Sequence, residues 1–232
     1  MAPFATIYSS VAFRHPRIVK GLAAANINGL EVEIPPDFEY GVTNKTPKYL
    51  AKFPQGKIPT LETPDGFCLS ESTAIAYFLA DSGPKREQLL GRDTRERALI
   101  QQWVSFSDLE IFETTLPLLL MQLGRSPYDE AAVTRKEGNA RRALTYLNGH
   151  LKGRKWLVKD DEVTLADLSV GGALSIAFKY YLDKEARAEF PEIPRWYTEL
   201  TKMKEVADAF GVVETDFIET RLSFQPAGKL DF

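Results

Sequence analysis

Cysteine is almost missing from this chain. The 232 residues contain one, Cys68, so no internal disulfide can form, and stability has to come from packing. Long apolar runs are also absent. No stretch reaches the roughly 20 residues needed to span a bilayer, which argues against a membrane protein. The N-terminal residues Met1-Ala2-Pro3-Phe4-Ala5-Thr6-Ile7-Tyr8 carry no basic stretch ahead of an apolar one, so no signal peptide is expected. Neither charge sign dominates. The formal net charge is −3, which gives no bulk electrostatic case for nucleic acid or an anionic membrane. Together these absences favour a reduced, cytoplasmic setting. Apolar residues at 44% and charged residues at 26% match an ordinary globular protein, long enough for one large domain or two modest ones. Cys68 itself reads as a small buried strand residue.

What is present falls into two halves. Residues 4–8 are apolar and β-prone. Residues 17–26 place Ile18, Val19, Leu22 and Ala25 at helical spacing, and Asn28-Gly29 offers a left-handed stop. Residues 30–34 alternate as a strand does, up to Pro35-Pro36. A long connection, 37–55, has room for one helical turn at 47–52, and connections of that length are usually functional. The order is β-α-β, then β-β-α. A break at Asp81-Ser82-Gly83-Pro84-Lys85 follows, and the rest reads as helical. Residues 93–120 form one long periodic segment in which Pro117 predicts a kink. Residues 128–151 form another, with Ala131, Val133, Leu144, Leu147 and Leu151 on its apolar side. Residues 164–181 are the most apolar helix, and shorter ones follow at 184–190, 193–201 and 204–210. The tail from Phe224 to Phe232 lacks periodicity. Domain boundaries are expected at 1–82, a linker at 83–92, and 93–232.

The most informative stretch is Gly56-Lys57-Ile58-Pro59-Thr60-Leu61-Glu62 and, after a turn, Asp65-Gly66-Phe67-Cys68-Leu69-Ser70-Glu71-Ser72. A strand opening on proline cannot donate there to the sheet ladder. A cis Ile58-Pro59 bond would turn the Ile58 backbone groups toward an extended ligand. Glu71-Ser72 then stands at the start of a helix, where backbone N–H groups and the helix dipole favour an anion. That layout suits a small peptide with a free carboxylate.

These features, with Thr43-Asn44-Lys45-Thr46-Pro47, Lys52-Phe53-Pro54-Gln55-Gly56, Gln102-Trp103-Val104-Ser105-Phe106 and Val163-Thr164-Leu165-Ala166-Asp167, resemble the cytosolic glutathione transferases over nearly the whole chain. The likeness is closest to the elongation factor 1 gamma-like class and its stand-alone fungal relatives. The resemblance implies an α/β thioredoxin-like N-terminal domain plus an all-α C-terminal domain, a glutathione (co)substrate, no metal, and a homodimer. Glu71 and Ser72 would hold the γ-glutamyl end, Ile58 and Pro59 the cysteinyl backbone, and Asn44, Lys45 and Lys57 the glycyl carboxylate. A hydrophobic small molecule would occupy a neighbouring pocket near Phe13, Trp103, Phe106 and Phe112. The position of the serine donor of related enzymes falls on Phe13, which cannot donate. Ser9, Ser10, Arg14 and His15 are its neighbours, with Ser10 and Arg14 the candidates for activating the thiol. The leading expectation is conjugation of glutathione to an apolar electrophile. Glutathione-dependent cis/trans isomerisation of an activated olefin in fungal secondary metabolism is the second, and a non-catalytic interaction module of the elongation-factor kind the third. Thr164-Leu165-Ala166-Asp167 also has the form of a capping box ahead of Leu168, Val170, Leu174 and Ile176.

Overall fold

The structure is a computed structural model that describes residues 2–10, 15–211 and 217–224. A four-stranded sheet in the order β2-β1-β3-β4 organises the first part. Strands β1 (Ala5–Tyr8) and β2 (Val32–Glu33) run parallel, joined by helix α1 (Val19–Asn28). β3 (Thr60–Glu62) and β4 (Cys68–Ser70) complete the sheet antiparallel, with Tyr8 opposite Thr60 and Thr60 opposite Ser70. This is the thioredoxin-like arrangement, and β1 sits inside the sheet with its apolar residues Ala5 and Ile7 fully buried.

Local chemistry explains the element ends. α1 stops at Gly29, whose φ of 67° is left-handed, while Leu30 N–H closes the last turn on Ala25. That bond keeps the Leu30 N–H out of the ladder, and the strand expected over 30–34 is confined to two paired residues, Val32 and Glu33. A short helix, α2 (Pro47–Lys52), begins with proline in its first turn and is capped by the Thr46 hydroxyl. α3 (Ser72–Asp81) packs beside α1 on one face of the sheet. On the other, Tyr8 meets Phe38, Tyr49 and Phe53 in a second, smaller core. Cys68 proves half-buried on β4 rather than buried.

A short helix, α4 (Arg86–Leu90), lies inside the expected linker. The second part is helical throughout: α5 (Thr94–Phe106), α6 (Glu113–Gln122), α7 (Glu130–Leu151), α8 (Leu165–Tyr180), α9 (Lys184–Glu189), α10 (Glu192–Thr201) and α11 (Lys204–Phe210). The segment expected as one helix over 93–120 is continuous, but a wider π-helical turn at Ser107–Phe112 joins α5 to α6. Pro117 lies inside α6, where it cannot bond the Glu113 carbonyl. That carbonyl instead accepts from Lys136 Nζ at 2.7 Å. Ala131 is exposed, contrary to its expected place on the apolar side of α7.

α8 is the axis of the helical domain and carries the expected capping box. Leu168, Val170 and Leu174 are fully buried, and Ile176 is half-buried. Where α8 meets α1 the two domains touch closely. A Cβ on Gly172 would lie 3.0 Å from the Val19 side chain, so glycine permits the approach. The main core runs unbroken from β1 through α1 and α8 to α10 and α11.

Candidate functional site

The chain leaves β4 at Ser70 and turns through Glu71 before α3 begins at Ser72. Glu71 has φ 71°, and among the described residues it alone holds a left-handed conformation without being glycine. Such a backbone costs about 1–3 kcal/mol and persists only where its surroundings impose it. The Glu71 side chain makes no capping bond to α3, so the turn does not serve as an ordinary helix cap. Instead Ser70, Glu71 and Ser72 line a cavity of about 250 Å³ together with Arg17, Phe53, Gln55, Lys57, Ile58, Pro59 and Thr60. The Ile58–Pro59 bond is cis. Glu71 and Lys57 are exposed, whereas Ser72 is only 7% accessible.

Residues behind the cavity hold its floor. The Tyr49 hydroxyl donates to the Lys57 carbonyl at 2.9 Å and pairs with Thr60 Oγ1 at 2.8 Å, bracketing Pro59 on both sides. Burial raises the pKa of Tyr49, so it stays a neutral hydroxyl. Asn44 is fully buried: its amide donates to the Gly56 carbonyl, and its oxygen accepts from Gly41 N–H, both at 2.6 Å. Its side chain is therefore committed to the loop and does not line the cavity. Lys45 is exposed and also outside the lining, its Nζ lying 3.5 Å from the place a Gly56 Cβ would take.

Two ionic contacts tie this site to the helical domain. Arg17 donates from Nη2 to Glu113 Oε1 at 3.0 Å, and its guanidinium lies 4.2 Å above the centre of the Phe112 ring. One turn on, Lys20 is buried and donates to both Asp108 oxygens at 3.0 and 3.1 Å and to Thr73 Oγ1 at 2.8 Å. Thr73 in turn donates to Asp108 at 2.6 Å. Burial lowers the Lys20 pKa, and the Asp108 carboxylate opposes that shift. Asp108 thus orients the first turn of α3 from across the domain boundary.

The other sequence candidates are distributed as follows. Ser10 is half-buried just after β1 and does not line the cavity; Phe13 and Arg14 lie outside the described residues. His15 accepts the Arg17 N–H on Nδ1, and burial, aided by the Arg17 charge, lowers its pKa to about 4. Trp103 is 2% accessible and packs against Phe106, Tyr146 and His150, so it belongs to the core of the helical domain. Phe106 is half-buried against Tyr146, and Phe112 is buried beneath Arg17. Sequence reasoning missed Arg17, Phe53, Gln55, Thr60 and Ser70 as cavity residues. Thr60 and Ser70 were findable, since a hairpin pairs them across the strands that carry Pro59 and Glu71. Among the described residues no cluster of His, Cys, Asp or Glu has the arrangement of a metal site. None of the helices searched is long and apolar enough to cross a membrane.

Comparison with known proteins gives matches over both halves. Residues 7–81 match the family model for the glutathione S-transferase N-terminal domain, and residues 106–203 that for its C-terminal domain. A glutathione S-transferase-like protein, LUC7, from Fusarium sp is 46% identical over 91% of this chain and 94% of its own. Elongation factor 1-gamma from Sus scrofa is 39% identical over 78% of this chain and 41% of its own. Among solved structures, the glutathione transferase URE2P6 from Phanerochaete chrysosporium, in complex with oxidized glutathione, superposes with a TM-score of 0.79 at 25% identity, covering 90% of this chain and 96% of that one.

Proposed function

The chain belongs to the glutathione S-transferase family, and from that premise we propose that it binds glutathione in the cavity at Glu71-Ser72 and transfers it to a hydrophobic electrophilic small molecule. One observation carries this reading. The Ile58 edge beside cis Pro59 and the Glu71-Ser72 entry to α3 line the same cavity, which offers an extended backbone next to an anion-favouring helix start. Ser72 would receive the γ-glutamyl carboxylate with its hydroxyl and N–H. Glu71 would face the ammonium, Ile58 would pair with the cysteinyl unit, and Lys57 would meet the glycyl carboxylate. Asn44 shapes the loop behind that end, and Lys45 stands at its rim.

Free thiols titrate near 8.5, so a transferase must favour the thiolate. Ser10 and Arg14 are the residues we assign to that task, as a hydroxyl donor and a fixed cation. Holding thiolate and acceptor together supplies much of the rate. We assign the acceptor side to the boundary with the helical domain, where Phe112 lies beneath Arg17. We assign the protein to the cytoplasm as a homodimer, the assembly that membership of the family favours.

A second reading draws on the 39% identity to elongation factor 1-gamma: an interaction module that uses the same fold for assembly. Retention on immobilised glutathione, a thermal shift with free glutathione, and turnover of an aryl halide separate the readings. No retention and no shift would leave only the module. Retention without conjugation would favour glutathione-dependent isomerisation of an activated olefin.

A further inference from the structure

A second cavity, of about 250 Å³, lies against the smaller core on the α2 side of the sheet and is walled by the rings of Tyr8, Phe38, Tyr49 and Phe53. Neighbouring ring centres are 5.0–5.9 Å apart, and Phe38, Tyr49 and Phe53 are buried. Phe53 also lines the cavity at Glu71-Ser72, so it is the partition between the two. Apolar, ring-lined hollows with a few polar groups are the usual form of small-molecule sites, and drug-sized ligands take roughly 300–1,000 Å³. This hollow is just smaller, which suits a single ring with a short polar head.

The polar residues of the wall define that head. Thr43 Oγ1 accepts from Glu39 N–H at 3.0 Å, and the Thr46 hydroxyl donates to the Thr43 carbonyl at 2.8 Å. The Tyr8 hydroxyl donates to Glu62, whose other oxygen is paired with Lys52. The Tyr49 hydroxyl is spent on Lys57 and Thr60. Asp37 and Lys48 remain. Both line the cavity and are exposed, and among the described residues neither makes a hydrogen bond or an ion pair, with the other or with any third group. Opposite charges that flank a hollow without closing on each other match a ligand that carries both signs side by side. We propose that this cavity binds an aromatic α-amino acid, with its ring against the four aromatic side chains, its carboxylate on Lys48 and its ammonium on Asp37. The site stands apart from the glutathione reading and does not depend on it.

Calorimetry with L-phenylalanine, phenethylamine and 3-phenylpropionate tests the assignment, each run with and without saturating glutathione. The parent is expected to bind L-phenylalanine saturably, and each analogue, which lacks one charge, roughly tenfold more weakly. Lys48→Gln is expected to lose the preference for L-phenylalanine over phenethylamine, and Asp37→Asn the preference over 3-phenylpropionate. Both changes are at exposed positions and should leave the melt unaltered. No saturable binding of L-phenylalanine by the parent overturns the proposal, as does an undiminished preference in either variant. Displacement of L-phenylalanine by glutathione places it in the other cavity and overturns the proposal too. A parent that binds L-phenylalanine but not glutathione refutes the glutathione reading and leaves this site standing.

Discussion

Replacing Asp167 by alanine tests the helical domain most directly. Asp167 is fully buried, and four donors converge on its carboxylate. Oδ2 accepts from Thr164 N–H and Thr164 Oγ1, each at 3.0 Å. Oδ1 accepts from Leu157 N–H at 2.9 Å and from the Trp196 indole N–H at 3.4 Å. Burial raises the carboxyl pKa against the pull of these donors, so the carboxylate is not free of cost where it sits. Alanine would strand two buried backbone N–H groups at about 1–3 kcal/mol each and remove a helix cap worth about 1 kcal/mol. Relief of the buried charge offsets part of this, leaving a net loss of about 3 kcal/mol. For a chain of this size 1 kcal/mol moves Tm by about 2–4 °C, so the melt should fall by roughly 6–12 °C. Calorimetry or a circular-dichroism melt at neutral pH reads it. Thr164→Val, which removes only the hydroxyl half of the cap, should lose about 1 kcal/mol. A melt for Asp167→Ala within about 2 °C of the parent would refute the claim that this carboxylate organises α8.

Other expectations follow from the same structure. His15 titrates near 4 in the fold against 6.5 when unfolded. As pH falls the unfolded chain gains that proton first, so stability held above pH 6.5 drains away down to about pH 4, by up to about 3 kcal/mol. His15→Gln should flatten this part of a urea-midpoint profile, and an unchanged slope would count against a buried neutral imidazole. Lys20→Met alone leaves Asp108 without its cation and should cost about 3–5 kcal/mol, whereas the double change with Asp108→Leu should recover much of that loss. A double variant no better than the single one would show the pair is not the unit. Tyr49→Phe frees the Lys57 carbonyl and Thr60, and should lower stability by about 1 kcal/mol while weakening glutathione binding measured by calorimetry. Ser72→Ala should reduce retention on immobilised glutathione without a matching drop in Tm.

The alternation and breakers of residues 4–82 made the sheet and its helices readable, because each element there is specified by near neighbours. Leu30 misled for a local reason: its N–H closes α1, which outweighs the alternating pattern. The π-helical turn was invisible because one extra residue hardly disturbs periodicity over so long a segment. That Glu71-Ser72, Ile58 and Pro59 line one cavity was legible, since a proline strand and a helix start lie close in sequence, one turn apart. Arg17 was not, as its partner Glu113 lies 96 residues away, and nothing local separates a cavity cation from a solvated helix-start arginine. Asn44 is the opposite case, a side chain outside the cavity lining. An amide beside a lysine looks like a ligand contact, and only tertiary structure shows both its ends spent on backbone. Trp103 fell to the familiar ambiguity of a helical stripe, where core and pocket wall share one spacing.

The wider turn between α5 and α6 has a consequence for how this protein tolerates changes in length. Asp108 and Glu113 stand five residues apart, and a π-helical turn repeats over about that spacing, whereas an α-helix would rotate them onto different sides. Their partners Lys20 and Arg17 stand three apart, Lys20 in the first turn of α1 and Arg17 in the turn just ahead of it. The extra residue therefore works as a gear tooth, matching the pitch of one helix to the pitch of another across the domain boundary. A single-residue deletion within Leu109–Phe112 would restore regular helix and leave every side chain of both pairs present. It would still disengage one of the two, which makes this segment far less forgiving of a lost residue than of a changed one.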